Sequence, residues 1–164
     1  SRMPHAVRDN QHLWGLPGLQ GNDALLVRQG NKMAKHALAL ISKCLALGIR
    51  GYLENPRTSY FWRLRKVLAL LRSGAAYLVH ADMCQYGTPW KKATSFLVWG
   101  VPAGAVKLHR CHALHGRCSA SGKRHVELTG RATHAKHFRT KIAQEYPMPM
   151  ARHLMQQLLH ADDC

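Results

Sequence analysis

Acidic residues are scarce in this sequence. Its 164 residues include 8 Asp and Glu against 24 Lys and Arg, a net charge of +16 with the histidines neutral. Between Asn55 and Val126 there are twelve Lys or Arg and a single acid, Asp82. So large an excess favours a polyanionic partner, nucleic acid above all. The alternative is a solvated basic surface that binds nothing.

Long apolar runs and paired cysteines are also missing. No run approaches the roughly 20 residues of a membrane span, so we expect no membrane association. The start, Ser1-Arg2-Met3-Pro4, lacks the apolar region of a secretory signal. Five cysteines are an odd number, which favours reduced thiols or metal ligands over a disulfide framework. We therefore expect an intracellular, reducing compartment, with the mitochondrion and the nucleus both possible.

The pattern along the chain predicts one domain with four parts. They are an extended arm at 1–21, an α/β core at 22–100, an irregular Cys/His-rich basic segment at 101–130 and C-terminal helices at 131–164. The arm is rich in Gly and Pro and is expected to pin itself through Trp14, Leu16 and Leu19.

The core alternates helical and strand patterns. Apolar residues on a 3.6-residue period predict a helix that Asn22 or Asp23 caps and Gly48 ends. A second helix starts at a Thr58 or Ser59 cap. Strands are predicted at 49–53, 76–81 and 95–99. Strand, helix, strand in this order predicts a parallel crossover and an α/β sheet flanked by helices.

Beyond the core, regular structure becomes sparse. We expect a short strand at 126–128 and a short helix, marked by Phe138, Ile142 and Ala143, that Pro147 terminates. Met150 to Leu159 has the spacing of a final amphipathic helix. That helix also allows an interpretation in which the chain is a protein-interaction subunit.

Two polar clusters border apolar runs of strand length. Glu54-Asn55-Pro56 ends the first strand, and Asp82 to Lys92 lies between the other two. Ligands of open α/β sheets bind at strand ends, so we expect one site with these two sides. Glu54 is either an acid that contacts a base edge or a salt-bridge partner. Trp90 with Lys91 and Lys92 either stacks a base and holds its phosphate, or packs inward in a solvated turn.

Four residues have the chemistry of a metal site. Cys111, Cys118 and His125 are separated by six residues each, and Cys84 precedes them. Zinc takes four N or S ligands, and an irregular segment gains most from such a site. We predict Cys84, Cys111, Cys118 and His125 as ligands. His109, His112 and His115 are the possible substitutes. The alternative is buried thiols that act as small hydrophobes, with histidines that contact nucleic acid.

The two polar clusters at the strand ends resemble part of the cytosine-5 DNA methyltransferases. That family has a Glu-Asn-Val strand end and, further on, a Tyr-Gly-x-Pro-Gln turn with arginines before a strand that ends in glycine. The whole chain is more similar still to a methyltransferase-like domain of mobile-element polyproteins in protists. The matching residues are Trp14–Pro17, Gly30-Asn31, Glu54–Pro56 with Ser59 and Trp62, Cys84–Lys91, Cys111–His125 and Tyr146-Pro147.

The resemblance implies a partial Rossmann-like, methyltransferase-type sheet. It also implies that Glu54 corresponds to the carboxylate that contacts the target cytosine. Two family features are missing: the sequence has no Gly-x-Gly for S-adenosylmethionine and no Pro-Cys nucleophile. We therefore expect no S-adenosylmethionine binding and no methyl transfer by this chain alone, with Glu54 as a weak catalytic candidate.

Together these features predict a catalytically inactive, methyltransferase-like domain that binds nucleic acid. RNA is favoured over DNA, and a structural place among the proteins of a ribonucleoprotein such as an organellar ribosome fits the charge. The alternative is one part of a split or trimmed DNA cytosine methyltransferase of a mobile element. The residues expected to contact nucleic acid are Arg57, Arg63, Arg65, Trp90, Lys91, Lys92, Lys123 and Arg124.

Overall fold

A computed structural model describes residues 6–113, 115–128 and 145–161. Within these ranges the chain is an α/β protein. Its helices are α1 (Gly21–Ala46), α2 (Arg65–Arg72) and α3 (Met148–Leu159), with two 3-10 helices at Tyr60–Arg63 and Met83–Tyr86. Its strands are β1 (Gly51–Pro56), β2 (Ala76–Asp82) and β3 (Ala93–Trp99). The predicted helix and strand types of the core are confirmed, with bounds shifted by a few residues.

The three strands form an antiparallel sheet in the order β1-β3-β2. Leu97 of β3 lies opposite Leu53 of β1 and Leu78 of β2. Because β1 and β2 are both antiparallel to β3, they run in the same direction, as a crossover requires. They are not hydrogen-bonded neighbours, however, and every ladder of this sheet is antiparallel, so the expected partial Rossmann-like sheet is not confirmed. β3 returns between them and takes the central position, which the sequence order did not reveal.

β3 is the buried centre of the fold. Its side chains alternate between the two faces of the sheet. Leu97 and Trp99 pack with α1, the first 3-10 helix and α2 on one face. Phe96 and Val98 pack with α3 on the other. Helices therefore cover both faces of the three-stranded sheet that the described residues form.

The ends of the helices explain the shifted bounds. α1 begins at Gly21 with Gln20 as its N-cap, so the predicted caps are wrong. Asp23 lies instead in the first turn, where a carboxylate favours the helix dipole. Ser59 does cap the next helix, because its side chain accepts the N–H of Phe61. That helix is a 3-10 turn, and Leu64 has an extended backbone (ψ 136°) before α2 starts.

The N-terminal arm is pinned mainly by Arg8. Its guanidinium donates to the carbonyl of Leu13 at 2.6 Å and to Oδ1 of Asn31 at 2.8 Å. Asn31 in turn donates to the carbonyl of Trp14 at 2.7 Å. Trp14 itself is 42% exposed, so the expected anchoring by this indole is at most partial.

Two predictions for the C-terminal part differ in outcome. Residues 126–128 form no strand, although the N–H of Val126 donates to the carbonyl of Pro89. The predicted helix around Phe138 and Ile142 lies outside the described residues. Pro147 is the N-cap of α3.

Among the described helices, none has both the length and the apolar character that a membrane crossing requires.

Candidate metal centre and the basic residues around it

The ligand atoms of Cys84, Cys111, Cys118 and His125 all lie within 4.8 Å of one another. The three cysteines are buried and the histidine is half-buried. The Sγ atom of Cys111 is 3.7 Å from Nε2 of His125. These are the four residues that the sequence predicted. They could hold a metal ion, and none of the possible substitutes, His109, His112 or His115, belongs to the group.

Each ligand is placed by its backbone. Cys84 lies in the 3-10 helix that follows β2. Cys118 and His125 flank a tight loop, in which the N–H of Cys118 donates to the carbonyl of Lys123 at 2.8 Å. The N–H of His125 donates to Gly116 at 3.1 Å. Short polar residues and a glycine with φ of +68°, Gly122, allow this reversal.

Asp82 connects the sheet to the candidate ligand Cys111. Its carboxylate, only 1% exposed, accepts the N–H of Cys111 at 2.8 Å. The N–H of Asp82 donates to the carbonyl of His109 at 3.1 Å, so the two segments are joined twice. Asp82 also accepts from the guanidinium of Arg57 at 3.3 Å. The last residue of β2 thereby fixes the position of Cys111.

Polar groups around the sulfur atoms complete the cluster. The amide of Gln85 lies 3.5 Å from Sγ of Cys118 and 3.7 Å from Sγ of Cys84. The N–H of Ser119 donates to Sγ of Cys111 at 3.5 Å. Sequence reasoning missed Asp82, Gln85 and Ser119 as supports of the site. Gln85 follows Cys84 and Ser119 follows Cys118 in the sequence, and this adjacency was the available signal for these two residues.

The thiols differ strongly in acidity. Burial raises the pKa of Cys84 to about 12, and the neighbouring Cys111 and Cys118 add to this rise. Burial also raises the pKa of Cys118, but hydrogen bonds from the backbone of Ser121 and Ala120 and from His125 outweigh it and lower that pKa to about 6. Of these two thiols, Cys118 therefore becomes a thiolate more readily than Cys84. A bound cation is what would favour several thiolates.

The predicted nucleic-acid contacts fall into two groups. Arg57 and Lys91 lie beside the metal ligands and have internal partners: Arg57 pairs with Asp82, and Lys91 donates to the carbonyl of Cys111 at 3.2 Å. Lys92 is half-buried on the same turn. Lys123 and Arg124 are exposed on the loop between two ligands.

The second group lies near the N-terminal arm. Arg63 is exposed, donates to Asn10 and stands 5.8 Å from the ring centre of Tyr60. Arg65, at the start of α2, lines a pocket with Leu13, Trp14 and Lys35. The eight predicted residues therefore do not form one patch around the metal ligands.

Trp90 is turned partly inward. Its indole nitrogen is buried and has no hydrogen-bond partner among the described residues, although the side chain as a whole is half-buried. This position favours the packing interpretation of Trp90 over base stacking.

The two polar clusters at the strand ends also separate. Glu54 and Asn55 line a pocket of about 670 Å³ with the N-terminal arm, α1 and residues 58–64. Asp82 to Lys92 instead supports the metal ligands. Thr94 donates to the Glu54 carboxylate. Burial, and then Glu54, raise the pKa of Tyr146, whose hydroxyl is hydrogen-bonded to that carboxylate. Glu54 is thus held by neighbours within the fold.

In the sequence segment that carries Cys111, Cys118 and His125, no acidic residue offsets the basic residues. Between Lys107 and His125 there are five Lys or Arg and no Asp or Glu. Arg110, Arg117, Lys123 and Arg124 are all exposed.

Comparison with protein-family models, curated proteins and solved structures gave no match for this chain.

Proposed function

We propose that this chain is a nucleic-acid-binding module whose basic segment, residues 107–125, is held in shape by a structural zinc ion. The observation that carries the proposal is the convergence of three thiols and one imidazole within 4.8 Å. Catalysis is not part of the proposed role.

Zinc fits the ligand set better than other common ions. Cysteine and histidine are its preferred ligands in structural sites, with four of them at tetrahedral geometry. Zn–S and Zn–N bonds of about 2.3 and 2.0 Å imply a sulfur-to-nitrogen separation of about 3.5 Å in such a site. The Cys111 to His125 separation is 3.7 Å. The four side chains would fill all four positions around the ion, as in a structural site.

The metal would order the segment that carries the charge. All residues between Cys118 and His125 are exposed, so no apolar burial holds this loop in place. Holding both ends of this loop against Cys84 and Cys111 would present Lys123 and Arg124 to solvent in a fixed arrangement. Preorganised cations lose less entropy when they contact phosphates.

A polyanion is the partner that fits this surface. Phosphate contacts by Lys and Arg supply most non-specific affinity for nucleic acid. We favour RNA over DNA and infer a structural place in a ribonucleoprotein, such as an organellar ribosome. The support for this is the net charge of +16.

The test measures zinc and salt dependence together. Purified protein should contain one equivalent of zinc. Its affinity for a fluorescein-labelled single-stranded RNA should fall with salt, with a log–log slope of about −0.7 per phosphate contact. The double variant Lys123→Gln/Arg124→Gln should lose about 1.4 from that slope if each side chain contacts one phosphate. Duplex DNA of matched length shows whether RNA is preferred.

A charge-matched control separates local contact from net charge. Arg72 and Arg152 are exposed on α2 and α3, outside the segment. Arg72→Gln/Arg152→Gln removes the same two charges and should leave the slope almost unchanged. Equal losses in both variants, or binding that does not respond to salt, would contradict the proposed surface.

A further inference from the structure

Helix α1 and its C-cap residue Leu47 carry a row of exposed apolar side chains. Leu26, Met33, Leu40 and Leu47 are 54%, 72%, 63% and 62% exposed, respectively. They recur every seven residues, so they lie along one side of the helix. The row is about 32 Å long at 1.5 Å per residue. Exposed apolar residues aligned on one side of a helix are a feature of helix-docking surfaces.

Small residues border this apolar row at the same spacing. Gly30, Ala37 and Cys44 also recur every seven residues, each four positions after a member of the row, and all are half-buried. Together the two sets have the seven-residue pattern of a helix–helix seam. The protein's own core contacts α1 through Val27, Leu38 and Ile41, and Ala37 and Cys44 pack at the edge of that core. Within the described part of the chain, the outer row itself stays exposed and available for another helix.

The charges beside the row restrict the occupant. His36 and Lys43 flank it, Arg28, Lys32 and Lys35 lie further round the helix, and all five are exposed. The sequence has no Asp or Glu from Ala24 to Leu53. A second copy would bring like charges together. The segment 129–144 has four Lys or Arg and no acid, so it too would be repelled.

We propose that the Leu26–Leu47 row of α1 docks an acidic amphipathic helix of another protein. Apolar residues of that helix would pack on the row, as in other helix-in-groove complexes. Its Glu or Asp residues would face His36 and Lys43. This site is separate from the residues proposed to contact nucleic acid.

The probe is a synthetic helical peptide of about 28 residues, with Leu at the seam positions and Glu at the flanking positions. Fluorescence anisotropy with the zinc-loaded full chain should show saturable binding. The same peptide with Lys in place of Glu should not bind. Met33→Glu and Leu40→Glu should each weaken binding by about tenfold or more, because each places a charge in the seam. Both positions are exposed, so the fold should be retained, which circular dichroism checks.

The matched control is Met155→Glu, which adds the same charge at an exposed methionine of α3. It should leave the affinity unchanged. Lys43→Glu should weaken binding of the Glu peptide, since it reverses a flanking charge. Three results would overturn the proposal: equal binding of both peptides, a homodimer that Leu40→Glu dissociates, or binding to anionic vesicles that Leu40→Glu abolishes.

Discussion

Asp82 accepts the backbone N–H of Cys111 at 2.8 Å. The carboxylate belongs to the last residue of β2, and the amide belongs to a metal-ligand candidate 29 residues later in the chain. The pair links the rigid sheet to an otherwise irregular segment. Supports of this kind hold ligand side chains in place and influence metal affinity.

Replacement of Asp82 should weaken both stability and metal retention. In Asp82→Asn, an amide group replaces the carboxylate that accepts from Cys111 and Arg57, and one of these donors loses its acceptor. We expect a loss of about 1–3 kcal/mol in the free energy of unfolding and about tenfold weaker zinc binding. Urea denaturation and competition with a chromophoric chelator measure the two effects. Glu145→Gln, at an exposed acid, is the control and should change neither.

Removal of the metal should loosen residues 107–126 while the sheet stays folded. A chelator, or Cys118→Ala, should speed hydrogen exchange at the amides of Cys118, Gly122 and His125, whose bonds close the loop. Amides of β3 should remain protected, because its side chains are buried between two layers. Cys44→Ala removes a thiol outside the cluster and should leave zinc content at one equivalent. Loss of zinc in that variant would contradict the assigned ligands.

The sequence predicted the metal ligands but not what supports them. Cysteine and histidine have distinctive chemistry, so three of them at regular spacing with a fourth nearby could be recognised without a structure. Asp82 gave no such signal, because a lone acid among cations fits any salt bridge. Its role depends on how residues 109–111 return to the end of β2, which is a matter of tertiary structure.

The order of the strands in the sheet also could not be predicted from the sequence. Apolar runs and turn residues located the three core strands, but strand order depends on how the chain returns after β2. Ten residues, 83–92, connect β2 to β3, and the N–H of Met83 donates to the carbonyl of Lys92 within them. This closed connection makes a hairpin and brings β3 between β1 and β2. Periodicity alone does not distinguish that arrangement from a parallel crossover.

Trp90→Phe should have little effect on RNA affinity. The buried indole nitrogen has no partner in the described part of the chain, so the phenyl ring removes an unsatisfied polar group and keeps most of the packing. We expect unfolding free energy to change by less than about 1 kcal/mol in either direction. Anisotropy titrations at fixed salt provide the test. A loss of affinity comparable to that of Lys123→Gln/Arg124→Gln would show that Trp90 stacks on a base.

Gly100→Ala should destabilise the protein more than Gly104→Ala. Both glycines have positive φ, of +75° and +88°, so both substitutions incur backbone strain. A Cβ at Gly100 would lie 2.6 Å from Cα of Arg50, whereas nothing lies within 4 Å at Gly104. We expect about 1 kcal/mol at Gly104 and at least about twice that at Gly100. Thermal and urea unfolding of both variants give the comparison, and equal losses would contradict the close approach of the two strand ends.

His80 should make part of the stability depend on pH. Burial lowers the pKa of His80, Arg57 and Arg110 lower it further, and Asp82 opposes them. The unfolded chain therefore binds a proton more readily than the folded chain, and stability falls as pH falls below about 6.5. In His80→Asn, which keeps a polar group near Ser95, the decline in unfolding free energy between pH 7 and 5.5 should be smaller than in the unaltered protein. His36→Gln, at an exposed position of α1, should leave the decline unchanged. Zinc concentration is held constant throughout, so that metal release at low pH affects all three proteins alike, and an identical decline in His80→Asn would contradict the assignment.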